Sequence, residues 1–259
     1  MTDQKKLYSK VARITLLFWL MKIVATTLGE TLGDYISMTL NLGYATGIGI
    51  TLVFFLIVLL IQLNLHRYVP VVFWLVIIGT TTLGTEISDF MDRSLHLGYT
   101  VGSLILVALL LLSLLMWYLR FRDLRVYPIV DRTKELYFWI AVLFSNSLGT
   151  AFGDYLSDVL ELSYLHGALI TGAIILVVVL LHYFTRLNEV LLFWIAFVFT
   201  RPFGATFGDF LTKPLAKGGL NLGTLPATLV SVAVIGILIV IAHRQDDKAL
   251  HEVPSSLEF

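Results

Sequence analysis

Long apolar runs alternate with short polar breaks along the chain and predict eight helices of membrane-spanning length, over approximately residues 15–38, 43–63, 70–92, 98–118, 135–158, 165–183, 188–212 and 223–242. Each is near the ~20 residues that a bilayer core demands. The even runs are nearly pure Leu, Ile, Val and Phe, whereas every odd run carries small and oxygen-bearing residues in its second half. The fold class expected is therefore all-α, a polytopic membrane protein.

The odd runs share one motif. It reads Leu28-Gly29-Glu30-Thr31-Leu32-Gly33-Asp34-Tyr35 in the first and Leu83-Gly84-Thr85-Glu86-Ile87-Ser88-Asp89-Phe90 in the second. The third and fourth read Leu148-Gly149-Thr150-Ala151-Phe152-Gly153-Asp154-Tyr155 and Phe203-Gly204-Ala205-Thr206-Phe207-Gly208-Asp209-Phe210. The aspartates are spaced by 55, 65 and 55 residues. The repeating unit is thus a helical hairpin, and the wider central gap divides the chain into halves, residues 1–128 with repeats 1 and 2 and residues 129–259 with repeats 3 and 4. Units of two spans keep all copies in one orientation, so these are parallel repeats about a pseudo-fourfold or nested twofold axis along the membrane normal.

Each motif pairs small residues four positions apart: Gly29 and Gly33, Gly84 and Ser88, Gly149 and Gly153, Gly204 and Gly208. Lipid tails supply no hydrophobic force between helices, so such small-xxx-small stripes are where backbones approach. The odd helices should form an inner cluster with the even helices facing lipid. Beside the glycines, at about 100° per residue, runs a second stripe of Thr27, Glu30, Asp34 and Ser37 in the first repeat. Its equivalents are Thr82, Thr85, Asp89 and Asp92, then Ser147, Thr150, Asp154 and Ser157, and finally Pro202, Ala205, Asp209 and Thr212. Turned to a common axis, these faces would concentrate Asp34, Asp89, Asp154 and Asp209 with Glu30, Glu86 and Asp158.

Ionisable side chains at membrane depth are costly and mark functional sites by default. Crowded carboxylates cannot all ionise without a counter-charge, and hard oxygen ligands in this number suit manganese, magnesium or calcium. Asp34, Glu30, Asp89 and Asp154 are the expected metal ligands, and Arg201, aligned with Thr26, Thr81 and Asn146, makes the fourth site electropositive. The competing expectation is internal neutralisation of the acids by Lys22, Arg93, Arg201 and Lys213. A straight helix would set the aspartates near the outer interface, unless the odd helices tilt or break at their glycines or, in the seventh, at Pro202.

Composition narrows the function. With 58% hydrophobic and 14% charged residues and a formal charge of zero, no face is basic enough to compete for nucleic acid. The chain has no cysteine, which excludes disulfides, thiolate metal sites and iron–sulfur clusters. Lysine and arginine bias places Lys5, Lys6, Lys10, Arg13, Arg67, Arg120, Arg122, Arg125, Arg132, Lys134, Arg186, Arg244 and Lys248 on the cytoplasmic side with both termini, leaving Arg93, Lys213 and Lys217 outside. Phe18-Trp19, Phe73-Trp74, Phe138-Trp139 and Phe193-Trp194 open the odd spans and are expected as interfacial anchors.

The Gly-x-x-x-Gly/Ser-Asp-Tyr/Phe motif, with Phe-Trp ahead of each copy, resembles a bacterial family of membrane-anchored proteins built from a four-copy repeat of unknown function. That resemblance covers residues 15–242 and implies a bacterial inner-membrane protein. Glu30-Thr31-Leu32-Gly33-Asp34 is more loosely similar to the Glu-x-Gly-Asp signature of calcium/manganese–proton exchangers, with one residue more between the acids.

The function expected is a secondary transporter for a manganese-like divalent cation coupled to protons, not an enzyme. If an ion moves, the first three repeats should hold it and the fourth release it. No tightly bound cofactor is implied; the divalent cation would be substrate, and the partners are the bilayer, that cation, protons and, for self-association, a further copy of the chain. The alternatives are a channel-like or organic-cation carrier, a structural or sensor protein with a salt-bridged acidic core, and an intramembrane aspartyl protease, in which two carboxylates share a proton. No P-loop, dinucleotide fingerprint, nucleophile elbow or His-Glu-x-x-His motif appears.

Overall fold

The computed structural model describes residues 9–251, with side chains to residue 246. Lys5, Lys6 and the side chain of Lys248, used above for orientation, lie outside the described residues. Eight long helices follow in order: α1 (Leu16–Asp34), α2 (Tyr44–Asn64), α3 (Pro70–Asp89), α4 (Tyr99–Phe121), α5 (Arg132–Asp154), α6 (Tyr164–Phe184), α7 (Glu189–Thr212) and α8 (Thr224–His251). All are long and apolar enough to cross a bilayer. Thr15, Asp131 and Asn188 cap α1, α5 and α7 through their side chains, and Pro70 starts α3, where its missing N–H costs nothing.

The odd helices do not stop at the aspartate in three repeats. Tyr35–Thr39, Phe90–Ser94 and Tyr155–Val159 continue as single π turns, closed by Leu40, Leu95 and Leu160 N–H donating to the carbonyls of Tyr35, Phe90 and Tyr155 at 2.9, 2.9 and 3.1 Å. In the fourth repeat Pro214 forces Lys213 into an extended conformation and the helix ends at Thr212. Each hairpin then turns through a left-handed residue, Asn41, His96, Glu161 or Asn221. In three repeats a glycine at φ of 75 to 78° follows two positions later, a conformation open to glycine and strained for other residues. This Leu-x-Leu-Gly/Ser turn recurs in all four units and is a second repeat signature that the apolar pattern alone conceals.

α1, α3, α5 and α7 close into a ring, each packed on the next and α7 on α1. The seam is the same at every joint. The glycine five positions before the aspartate receives the side chain that lies eight before the aspartate of the next repeat: Gly29 takes Thr81, Gly84 takes Asn146, Gly149 takes Arg201 and Gly204 takes Thr26. A Cβ on any of these glycines would overlap its neighbour. Threonine hydroxyls reinforce the seams, with Thr81 donating to Ala25 O at 3.1 Å, Thr85 to Gly29 O at 3.3 Å and Thr26 to Thr200 O at 3.2 Å. α7 passes through Pro202 as one continuous helix, so the break considered for that span is absent.

The even helices lie outside. Each packs on the odd helix of the following repeat, α2 on α3, α4 on α5, α6 on α7 and α8 on α1. Only 28% of each even span is buried, against 61–78% for the odd spans, so the lipid-facing surface belongs to α2, α4, α6 and α8.

Gly204→Ala should destabilise the ring by about 1–3 kcal/mol through overpacking against Thr26. Gly236→Ala on α8, where nothing lies within 4 Å, should stay within about 0.5 kcal/mol. Thermal unfolding of the detergent-solubilised variants checks both, and equal effects would dissociate the ring from its glycines.

Candidate functional site

The ring axis is a stack of layers. At the end where α1 begins, Phe18 packs on Trp74 and Phe193, Phe73 on Trp139, and Trp117 of α4 on Trp194 and Phe138. Trp74 and Trp139 are 1% exposed, so the Phe-Trp pairs are largely internal plugs and not the interfacial anchors expected of them. Their amphipathic rings are satisfied inside the bundle, where Trp74 Nε1 donates to Tyr68 Oη at 3.2 Å and Trp194 Nε1 to Leu124 O at 3.2 Å. The next layer holds Lys22, whose Nζ donates to Asn146 Oδ1 at 2.8 Å and lies 4.2 Å from the centroid of Phe197. Lys22 therefore does not neutralise an acid, as expected of it, but rests on an amide and an aromatic face.

Above it, the four positions preceding each aspartate by four residues are Glu30, Thr85, Thr150 and Ala205. Arg201 rises from the layer below into this ring and fills its centre. Its Nη2, with two hydrogens to share among them, lies 2.9 Å from Glu30 Oε2, 2.6 Å from Thr150 Oγ1 and closer still to Thr85 Oγ1. The aliphatic stem of Arg201 lies against Gly149, where even one Cβ would collide with it. Arg201 is wholly buried.

The aspartates form the last layer, all buried and all near the end of their helices. From Pro70 to Asp89 the helix rises roughly 28 Å, so the ring lies close to the face opposite the start of α1 and α3. Two cations bridge it. Arg93 Nη2 reaches Asp154 Oδ2 at 3.3 Å and its Nη1 Asp89 Oδ2 at 3.7 Å. Lys213 Nζ reaches Asp34 Oδ2 at 2.6 Å and Asp209 Oδ1 at 3.2 Å. Each cation stands four residues after its own aspartate and spans to the aspartate of the next repeat. Burial alone would lower the Lys213 ammonium, but Asp209 and Asp34 outweigh it and hold it above the ordinary lysine range.

Glu30, Asp34 and Asp209 gather with ligand oxygens within 4.8 Å of one another. Asp89 and Asp154, expected as ligands beside them, are outside this group and share Arg93. Glu86 stands off the axis between α3 and α2, its Oε2 2.6 Å from Thr51 Oγ1. Asp158 is exposed at the aspartate end of the bundle, where Tyr99 Oη donates to its Oδ2 at 2.7 Å and itself accepts from Arg93 Nε at 3.3 Å. Asp92 turns toward Gly102 of α4, away from the axis.

Residues 17–68, 72–123, 137–188 and 192–247 each match the Repeat of Unknown Function DUF347. The chain belongs to this family. No curated protein and no solved structure matches it significantly. The four DUF347 repeats each hold one two-helix unit and one aspartate of the ring.

One buried charge pair escaped the sequence reading. Lys10 lies on Glu135, which also accepts from Gln62 Nε2 at 2.7 Å and Trp139 Nε1 at 3.4 Å, while Lys10 Nζ donates to Leu63 O at 3.0 Å. The segment before α1 is thus pinned across the end that the aromatic layer closes. Gln62 sits in the first DUF347 repeat and Glu135 between the second and third, with no shared motif position, so no local signal announces their meeting.

Arg201→Met should lower stability by about 3–5 kcal/mol, because it strands Glu30 in a buried site without its cation. Arg201→Met combined with Glu30→Gln should recover part of that loss. A double-mutant cycle on unfolding temperature measures the coupling, and strict additivity would mean the pair does not interact.

Proposed function

We propose that the protein is a secondary transporter that exchanges a divalent, manganese-like cation for protons and performs no enzymatic chemistry. Glu30, Asp34 and Asp209 are its cation site. The observation that carries this reading is a charge excess: in the ring Glu30, Asp34, Asp89, Asp154 and Asp209 meet only Arg93, Arg201 and Lys213 among the described residues. Five carboxylates against three cations leave two negative charges, which one divalent cation or two protons would balance. Buried carboxyl oxygens are hard ligands, suited to manganese, magnesium or calcium.

The layering supports alternating access. Arg93 and Lys213, 29% and 21% exposed, are the partly open members on the outer side, while Arg201, Lys22 and the aromatic layer close the other. Cation entry would displace the Lys213 ammonium from Asp34 and Asp209. Arg67, Arg120, Arg122, Arg125, Arg132, Lys134, Arg186 and Arg244 gather at the closed end, which supports a cytoplasmic location for that end in a bacterial inner membrane.

A salt-bridged structural core is the second reading, and the pairing of Arg93, Arg201 and Lys213 favours it. It accounts for the bridges but gives the excess negative charge no role. The protease reading is weakened because a cation, not a shared proton, joins Asp89 to Asp154 and Asp34 to Asp209.

Proteoliposomes containing the protein should take up Mn²⁺ under an imposed pH gradient, with Asp34→Asn reducing uptake at least tenfold. Lys213→Ala should tighten Mn²⁺ binding in detergent several-fold by removing the resident cation. A raised folded pKa means that the stabilisation from Lys213 is present below the ordinary lysine value and lost only as pH climbs through the higher one. Lys213 thus stays charged between about pH 5 and 8, so Mn²⁺ competes with it throughout that range. No Mn²⁺ binding to either protein, with folding intact, would leave the structural reading.

A further inference from the structure

Glu86 is fully buried and takes no part in the axial charge balance. It follows Thr85 by one residue, which turns it about 100° from the axis into the seam between α3 and α2. There α2 meets it with Gly47 and Thr51: Oε1 lies over Gly47, where a Cβ would overlap it, and Oε2 is 2.6 Å from Thr51 Oγ1. Oε1 has no hydrogen-bond partner, and no lysine or arginine lies within 4.0 Å of either oxygen among the described residues. The nearest acid on its own helix is Asp89, which Arg93 holds. On α2 the nearest titratable group, Tyr44, accepts from the same Arg93 at 3.0 Å.

Hydrogen counting bears on the state of this carboxyl. The Thr51 hydroxyl has one hydrogen and three oxygens in reach, Glu86 Oε2, Gly47 O at 3.0 Å and Ile48 O at 3.4 Å. The equivalent seam between α6 and α7 shows where such hydrogens go. Thr171 donates to Gly167 O at 2.8 Å, and Thr206, which occupies the position of Glu86, donates to Pro202 O at 2.9 Å. If Thr51 likewise donates to its own helix, the 2.6 Å contact needs its hydrogen from Glu86. A protonated carboxyl supplies it, leaving Oε1 as an ordinary carbonyl oxygen. An ionised one would bury a charge in hydrocarbon with one donor and no cation.

We propose that Glu86 is a proton-binding site separate from the axial cation site. It is a carboxylic acid whose O–H donates to Thr51 in the closed seam; when the seam opens to water the O–H bond breaks, the proton passes to water and the carboxylate remains. In the transporter, on which this last role rests, it carries one of the exchanged protons.

Infrared spectra of the protein in liposomes near neutral pH test the site. The carbonyl-stretch band of a protonated carboxylic acid should be present, vanish in Glu86→Gln and shift in Thr51→Val; a wild-type spectrum without a band sensitive to either substitution overturns the proposal. In proteoliposomes Glu86→Gln should still bind Mn²⁺ but lose at least tenfold of the uptake gained from a pH gradient. Full retention of that gain overturns the coupling role. Absence of Mn²⁺ uptake by the wild type would sink the transporter reading alone, with the infrared band still deciding the proton site.

Discussion

Four helices can enclose one axis only if each lets the next come close along a whole face, and here that approach rests on the glycine five residues before every aspartate. The contact is directional: a glycine on one helix always receives the side chain eight residues before the next aspartate. Repeated four times, it closes a ring with no free edge, and Ala25, Gly29 and Thr200 carbonyls accept threonine hydroxyls across the seams. In a bilayer, where apolar surface gains nothing by meeting other apolar surface, such close dispersion and hydroxyl contacts are the forces available. The even helices can consequently remain featureless, since their work is to cover the seams from the lipid side.

Once the ring is closed, what projects to the axis is shielded from lipid and largely from water, and charge there has to be met by charge. The sequence meets it by breaking its own symmetry in steps. At the aspartates the fourfold pattern becomes twofold, because only repeats 2 and 4 carry a cation four positions on. Met38 and Asp158 fill that place in repeats 1 and 3. One layer below, the twofold pattern is lost too. Arg201 alone occupies the centre, which is feasible because Ala205 stands where Glu30, Thr85 and Thr150 stand in the other repeats, and because Gly149 leaves room for the arginine stem. A second large side chain at either place would exclude it.

The spans, the parallel hairpin repeat, the inner and outer helices and the axial position of Glu30, Asp34, Asp89, Asp154 and Asp209 were all legible in the sequence, because each follows from a period or a spacing. What stayed hidden depended on a rotation of one residue or on tertiary partners. Glu86 was grouped with the axial acids, yet its place beside Thr85 turns it into a seam. The Phe-Trp pairs carry a composition equally suited to an interface and to a buried plug, and only their packing on one another across the odd helices selects the plug. Lys22 looked like a counter-ion, but its layer contains Ile77, Val142 and Phe197 and no acid at the equivalent positions. The pairing of Lys10 with Glu135 joins a pre-helical segment to a different repeat, so periodicity could not reveal it.

The two cations of the aspartate layer are not equivalent, and the backbone says which is easier to move. Arg93 lies inside a π turn, its guanidinium spread over Asp89, Asp154, Tyr44 and Tyr99. Removing it means breaking a fork of contacts. Lys213 is a point charge on an extended residue, already forced off the helix by Pro214, and holds Asp34 and Asp209 through one nitrogen. Those two aspartates are also the ones that converge with Glu30. The carboxylates that converge are therefore bridged by the cation held through the fewest contacts, and the fourth repeat supplies both Lys213 and Arg201, one on each side of the layer.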